Sequence, residues 1–420
     1  LQPPIALRRE IMKKAILILI IFISACSGTP TVLPSESPGN VRLGIDMFTA
    51  FYASGYRNKK ICLVTNHSGF DSSMKRNLES LRKCGLGISE ILAPEHGLSG
   101  FDEDYSSQKS YHEEKLKLTI HNMHNYNADE LKVLLTGFDA VIFDIQDLGM
   151  RCYTYISNLR EIIEALNGSN TRLVVLDRPN PLAPFGVSGF DLDEKFKSRH
   201  VASFPAPLFY SLTIGEAALY YKAKRNLSTD IFVVKMKNYR KQMFFDSMNI
   251  AWIPPSPNLP SYRSAVNYAA LIYLEATNIS VGRGTTKPFE YIGAPWINPD
   301  QLAEKLNSLN FENFIFKPVY FEPKYLVNKN QVCGGVHVIY KGGYFDPNEI
   351  SFEILKALFE LYPNNMRWLS YNERYHVDHL AGNDLFRKNV DKKSSFKQLR
   401  REMEISQKGF YSSMRKYLLY

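Results

Sequence analysis

No G-x-G-x-x-G turn follows a strand-like run in this sequence, and G-x-x-x-x-G-K-[ST], H-E-x-x-H and G-x-S-x-G are missing too. Their absence removes the sequence support for a dinucleotide site, a P-loop, a helix-borne zinc protease centre and a serine nucleophile elbow. Cysteine is scarce, at 5 residues, and no C-x-x-C pair occurs, which argues against a thiolate zinc site. The chain is basic, with a formal charge of +9, yet it has no dense Lys/Arg block and no nucleic-acid motif. That excess reads as solvated surface rather than as a face for a polyanion. No metal, no cofactor and no nucleic-acid partner is expected.

A hydrophobic content of 45% with 13% aromatics is that of a folded protein with a substantial core, and 420 residues suggest two domains. Met12-Lys13-Lys14 opens a basic segment, followed by the apolar run Ala15 to Ala25 (AILILIIFISA). That run is shorter than the roughly 20 apolar residues a membrane-spanning helix needs, so it reads as a secretory signal. Ile23-Ser24-Ala25-Cys26 looks like a bacterial lipobox, with Cys26 as the lipidated first residue of the mature chain; an ordinary cleaved signal is the alternative. Residues 1–26 are thus expected to be leader and lipoprotein signal, and residues 27–40, rich in Ser, Pro, Gly and Thr, a flexible tether. The folded part would lie in the bacterial cell envelope, lipid-anchored in the membrane and facing the periplasm or the cell exterior. Disulfides can form there, but Cys62, Cys84, Cys152 and Cys333 are isolated, and Cys62 sits in an apolar run like a small core residue.

Lys60–Val64, Ile88–Leu92, Ala140–Phe143 and Arg172–Leu176 read as buried strands. Helical spacing marks Ser72–Cys84, Ala128–Leu135 and Ile156–Leu166. A polar segment with His112, His121 and His124 follows the second strand. The alternation predicts an α/β fold, a mostly parallel sheet with helices on both faces, over residues 41–250. A capping box at Thr213 and Glu216 opens a further helix to Tyr221, and Asp230–Met236 reads as a strand. Trp252 to Pro260 holds too many prolines for a helix or a central strand. A domain boundary is placed there, and residues 251–420 are read as a smaller α+β domain with a strand at Val332–Tyr340 and helices at Ser351–Leu361 and Ser394–Ser406.

Four strands run out into polar clusters: Asn66/His67, Glu95/His96, Asp144/Asp147/Arg151 and Asp177/Arg178/Asn180. In open α/β sheets the ligand crevice lies at the carboxyl ends of the strands. One cluster would be turn chemistry; four at equivalent ends converge on one crevice. The candidate carboxylates are Glu95, Asp144, Asp147, Asp177, Glu275 and Glu290. Glycoside hydrolysis uses two carboxyls, one of them protonated to serve the leaving oxygen. Glu95 lies where an apolar strand emerges, the kind of place where partial burial favours a carboxyl's protonated form. Its alternative role is a helix N-cap or a salt bridge to Arg151. Gly282-Arg283-Gly284 would suit either an anionic ligand or a tight turn with positive φ. His376-x-x-His379 has no third ligand in view and reads as surface or cap chemistry.

Taken in order, several blocks resemble the exo-β-N-acetylmuramidase (NamZ-like) family of peptidoglycan hexosaminidases. They are Thr65-Asn66-His67-Ser68-Gly69, Pro94-Glu95-His96-Gly97, Phe143-Asp144-Ile145-Gln146-Asp147, Arg151 with Tyr153-Thr154-Tyr155, Asp177-Arg178-Pro179-Asn180-Pro181, Pro255-Ser256-Pro257-Asn258, Glu275-Ala276-Thr277-Asn278, Ser280 to Thr285, Pro288-Phe289-Glu290 and Gly293-Ala294-Pro295-Trp296. The resemblance implies a Rossmann-like first domain, a smaller α+β second domain, and a cleft between them. It also implies release of N-acetylmuramic acid from the non-reducing ends of peptidoglycan fragments, such as muropeptides and MurNAc-GlcNAc. By position, Glu95 would be the general acid/base, with His96, Asp144, Asp147 and Arg151 in the catalytic network. Asn66, Tyr153, Arg178, Asn258, Glu275, Asn278, Arg283 and Glu290 would contact the sugar, and Arg283 or Arg178 would grip its lactyl carboxylate. The sequence departs from the family at Ser99, Cys152, Tyr210-Ser211 and after Pro181. Those departures motivate an alternative, a lipid-anchored muropeptide-binding protein without catalysis.

Overall fold

The computed structural model describes residues 40–101, 108–372 and 374–420; Cys26, the leader and the tether lie outside the described residues. Among the described residues, helix α1 (Gly44–Phe51) comes first and is followed by β1 (Ile61–Thr65), α2 (Asn77–Lys83) and β2 (Ile88–Ala93). Next come β3 (Ser110–Glu113), β4 (Leu118–Asn122), α3 (Ala128–Leu135), β5 (Ala140–Asp144), α4 (Thr154–Ala165), β6 (Arg172–Leu176), α5 (Ile214–Lys224) and β7 (Ile231–Val234). These seven strands form one sheet in the order β3-β4-β2-β1-β5-β6-β7. All its pairs are parallel except β3 with β4. Leaving out antiparallel β3, the six parallel strands take the 3-2-1-4-5-6 order of the doubly wound Rossmann sheet, which reverses between β1 and β5.

The central strands β1, β5 and β6 are apolar on both faces because helices cover both. Ile61, Leu63, Ile142, Val174 and Leu176 join α1 and α2 in one core. Their neighbours Cys62, Val64, Val141, Phe143, Leu173 and Val175 join α3, α4 and α5 in another. Gly44 starts α1 hard against the end of β6: a Cβ there would lie 2.2 Å from the Asp177 nitrogen, so only glycine allows this approach.

The remaining elements are α6 (Tyr262–Leu271), β8 (Tyr291–Ala294), α7 (Pro299–Asn307), β9 (Phe314–Phe321), β10 (Cys333–Tyr340), α8 (Pro347–Leu361), the short pair β11 (Ser370–Tyr371) and β12 (Arg374–Tyr375), α9 (His376–Ala381), α10 (Leu385–Asp391) and α11 (Phe396–Met414). β8, β10 and β9 form an antiparallel sheet in that order. The C-terminus returns to the large sheet. Tyr420 donates its hydroxyl to buried Asp177 at 2.9 Å, and Leu419 N–H donates to Glu216 at 2.7 Å.

The structure adds one element to the sequence reading and shortens another. The polar segment with three histidines contains the hairpin β3-β4, which extends the sheet edge. His121 is buried there, bonded to Tyr126 at 2.7 Å and Glu90 at 2.9 Å, so polar partners hidden from the sequence make a strand of it. The helix expected from Ser72 begins only at Asn77. Asp71 holds the N–H groups of Ser73 and Lys75 at 2.9 Å, a local turn that competes with helix.

Candidate active site

β2 delivers Pro94, Glu95 and His96 to the carboxyl end of the sheet, where positive φ at His96 and Gly97 (69° each) turns the chain sharply. β5 leads into the loop that carries Cys152, Tyr153, Thr154 and Tyr155 into the start of α4. A third element is the proline segment. His67 donates from Nε2 to the Pro254 carbonyl at 2.7 Å, and Tyr155 donates its hydroxyl to the Pro255 carbonyl at 2.6 Å. Thus clamped, the segment presents Ser256 and Asn258. The second half of the chain adds Tyr268, Glu275, Arg283, Phe289 and Tyr325. Together these side chains enclose a cavity of about 200 Å3.

Within it Glu95 is half-buried, and its Oε2 accepts a 2.6 Å hydrogen bond from the Thr154 hydroxyl. His96 Nε2 lies 3.4 Å from Ser256 Oγ. Glu275 and Arg283 form an ion pair at 2.6 Å, with side chains 21% and 27% exposed and so open to a ligand. Burial favours the protonated form of Glu275 despite Arg283 beside it. Burial is the largest influence on Arg283 and opposes its charge, but Glu275, Tyr268 and Tyr325 together outweigh it and the pKa rises. Arg283 lies over the Phe289 ring, 5.3 Å from its centre. Gly282 and Gly284 have φ of 77° and 74°, so the tight turn is real, and it is what turns Arg283 into the pocket. Cys152 is a neutral lining group, its thiol pushed up to about 12 by burial. Tyr153 and Tyr268 stay protonated for the same reason.

Six of the expected residues therefore meet: Glu95, His96, Tyr153, Asn258, Glu275 and Arg283. The others do not line this pocket. Asp144 is fully buried and bonded twice by Arg178, at 2.6 and 3.0 Å, and once by Asn77 at 2.8 Å. The Arg178 charge is thus taken up by Asp144. Asp147 accepts from Tyr210 at 2.5 Å and from Gly149 N–H at 2.8 Å, and burial raises it to about 6. Arg151 makes no ion pair with Glu95. It is wholly buried and donates to the carbonyls of Phe190, Ala206 and Leu380 at 3.0, 2.7 and 2.8 Å. Asn66 is buried and braces Tyr155 at 2.8 Å. Asn278 bonds the Asn365 carbonyl and Arg367 N–H at 2.8 and 2.9 Å, and Glu290 bonds Lys287 and His337 at 3.0 and 3.2 Å. His379 donates to the Phe196 carbonyl at 2.9 Å.

Thr154, Ser256, Tyr268 and Tyr325 line the pocket without having been assigned a place there. For Tyr268 a signal existed: Ser261 after Pro260, capping an apolar run, marks the start of α6. Tyr325 sits at a bend outside any helix or strand, where no local pattern points to it.

A half-buried carboxyl at a Rossmann strand end, lining one aromatic-walled pocket together with a second carboxyl, is the equipment for breaking glycosidic bonds. The class defined is glycoside hydrolase. The chain belongs to the exo-β-N-acetylmuramidase NamZ family: residues 61–263 match the family's N-terminal domain and residues 266–420 its C-terminal domain. It is 32% identical to the peptidoglycan β-N-acetylmuramidase NamZ of Bacillus subtilis, over 95% of this chain and 96% of that protein. Two crystal structures of DUF1343 family proteins from Bacteroides fragilis are similar, each at 27% identity over 91% of this chain and 99% of the other, with TM-scores of 0.81 and 0.68.

Proposed function

We propose that the protein is an exo-acting glycoside hydrolase that releases N-acetylmuramic acid from the non-reducing ends of peptidoglycan fragments, with Glu95 as general acid/base. The observation that carries this reading is the Glu95–Thr154 hydrogen bond inside the aromatic pocket. Thr154 fixes one carboxyl oxygen and leaves Oε1 to exchange a proton with the glycosidic oxygen. The pocket volume of about 200 Å3 is below the roughly 300–1,000 Å3 of clefts that take drug-sized ligands, which suits one terminal sugar rather than a length of polymer. Arg283 is the cation placed to meet a lactyl carboxylate. Such a ligand competes with Glu275, whose burial already favours taking up a proton.

The test is turnover of a chromogenic β-N-acetylmuramide. Wild type should release the chromophore and Glu95→Gln should not. Binding of muropeptides without turnover by wild type would favour a sugar-binding protein instead. Anchoring through Cys26 belongs to the same proposal. A Cys26→Ala protein should leave the membrane fraction, and one that stays there would count against the anchor.

A further inference from the structure

A second cavity, of about 570 Å3, lies at the opposite end of the large sheet from Glu95. It is bounded by Asp139 and Ala140 at the start of β5, Arg172 at the start of β6 and Asp230 just before β7. Helix α1 explains its aromatic wall. The helix begins at Gly44, whose N–H is bonded to the Asp177 carbonyl at the carboxyl end of β6, and runs back along the sheet. Eight residues at about 1.5 Å each carry it roughly 12 Å, far enough to deliver Phe51 and Tyr52 to the amino end. Both are exposed there, Phe51 by 68% and Tyr52 by 43%. Tyr52 meets Phe232 edge-to-face at 5.1 Å, and Tyr56 follows on the next turn.

Single exposed apolar side chains need no explanation, but several rings gathered around polar groups mark a binding surface. In the midst of these rings Arg172 and Asp230 pair at 2.7 Å while each stays about half exposed. A guanidinium and a carboxylate held together at 2.7 Å, beside aromatic rings, match a pyranose ring: hydroxyls at the edge for the ion pair and C–H faces for the rings. The two charges cancel, which suits a neutral sugar rather than an ion. At about 570 Å3 the groove lies in the size range of true ligand clefts.

We infer that this groove is a second, non-catalytic site that holds the glycan strand of the insoluble substrate while the distant pocket trims ends. It rests on the peptidoglycan reading given above. It gives an enzyme acting on chain ends a way to stay on the wall between cuts, since two linked sites raise the effective concentration of each.

The experiment compares wild type, Phe51→Ala/Tyr52→Ala and Arg172→Ala/Asp230→Ala for co-sedimentation with purified sacculi and for hydrolysis of the soluble chromogenic muramide. Both variants should bind sacculi about tenfold more weakly, the loss that truncating an aromatic or arginine anchor gives. Both should hydrolyse the soluble substrate as wild type does, which also shows that they fold. Unchanged sedimentation of either variant overturns the inference, as does an equal loss in both assays. If wild type hydrolyses nothing yet its sedimentation still depends on the groove, the proposed function fails and the groove stands.

Discussion

Asp144 and Glu95 end strands of the same sheet, with only β1 between them, and they are built in opposite ways. Asp144 is fully buried and accepts from Arg178 twice and from Asn77 once. Every strong partner it needs is already inside the protein. Glu95 is half-buried, with one oxygen fixed by Thr154 and a cavity in front of it. A carboxylate whose hydrogen bonds are all made internally has little left to offer a substrate, whereas one held by a single bond at a cavity wall does. Asp147 stands between the two cases: one of its oxygens is satisfied by Tyr210 and Gly149, and the other is buried with no partner.

That contrast can be broken by substitution. The largest effect should come from Glu95→Gln, which keeps the shape and removes the proton. Turnover should fall by about 10²–10⁴-fold, the contribution of a positioned general acid/base, with the thermal midpoint unmoved. Asp144→Ala should do the reverse. It leaves Arg178 charged and unpaired in the interior, at a cost of about 3–5 kcal/mol by urea denaturation, while turnover per folded molecule changes little. Arg283→Ala should raise KM for the anionic muramide about 10–100-fold, the worth of a hydrogen bond to a charged group, and leave a neutral glucosaminide analogue unaffected. The smallest effect is expected of Thr154→Val, a fall in kcat of about 3–10-fold with KM held, largely restored in Thr154→Ser.

The sheet was legible because its strands are continuous apolar runs closed by polar turns, and Arg172–Leu176 even has the expected bounds. The capping box at Thr213 was legible for the same local reason, with Thr213 and Glu216 bonded reciprocally. That polar clusters gather at the carboxyl ends of the strands was legible too. What could not be read was which clusters face a cavity and which face one another. Arg151 looks catalytic in sequence, but its acceptor at Leu380 is 229 residues away. Arg178 looks like a free cation until Asp144, 34 residues earlier, is seen to grip it. Asn278 and Glu290 lie in family blocks, yet their partners Asn365 and His337 are 87 and 47 residues further along the chain. Partners so remote in the chain leave no periodic trace. The strand β4 was hidden for a related reason, because His121 is matched by Glu90 across the sheet.

The most direct measurement sets the two carboxylates side by side: turnover per folded molecule and thermal midpoint for Glu95→Gln and Asp144→Ala, with the same muramide substrate. The two should cross, Glu95→Gln losing turnover while keeping its midpoint and Asp144→Ala losing midpoint while keeping turnover. A Glu95→Gln protein that still cleaves at the wild-type rate, or an Asp144→Ala protein that stays as stable as wild type yet is inactive, would contradict it.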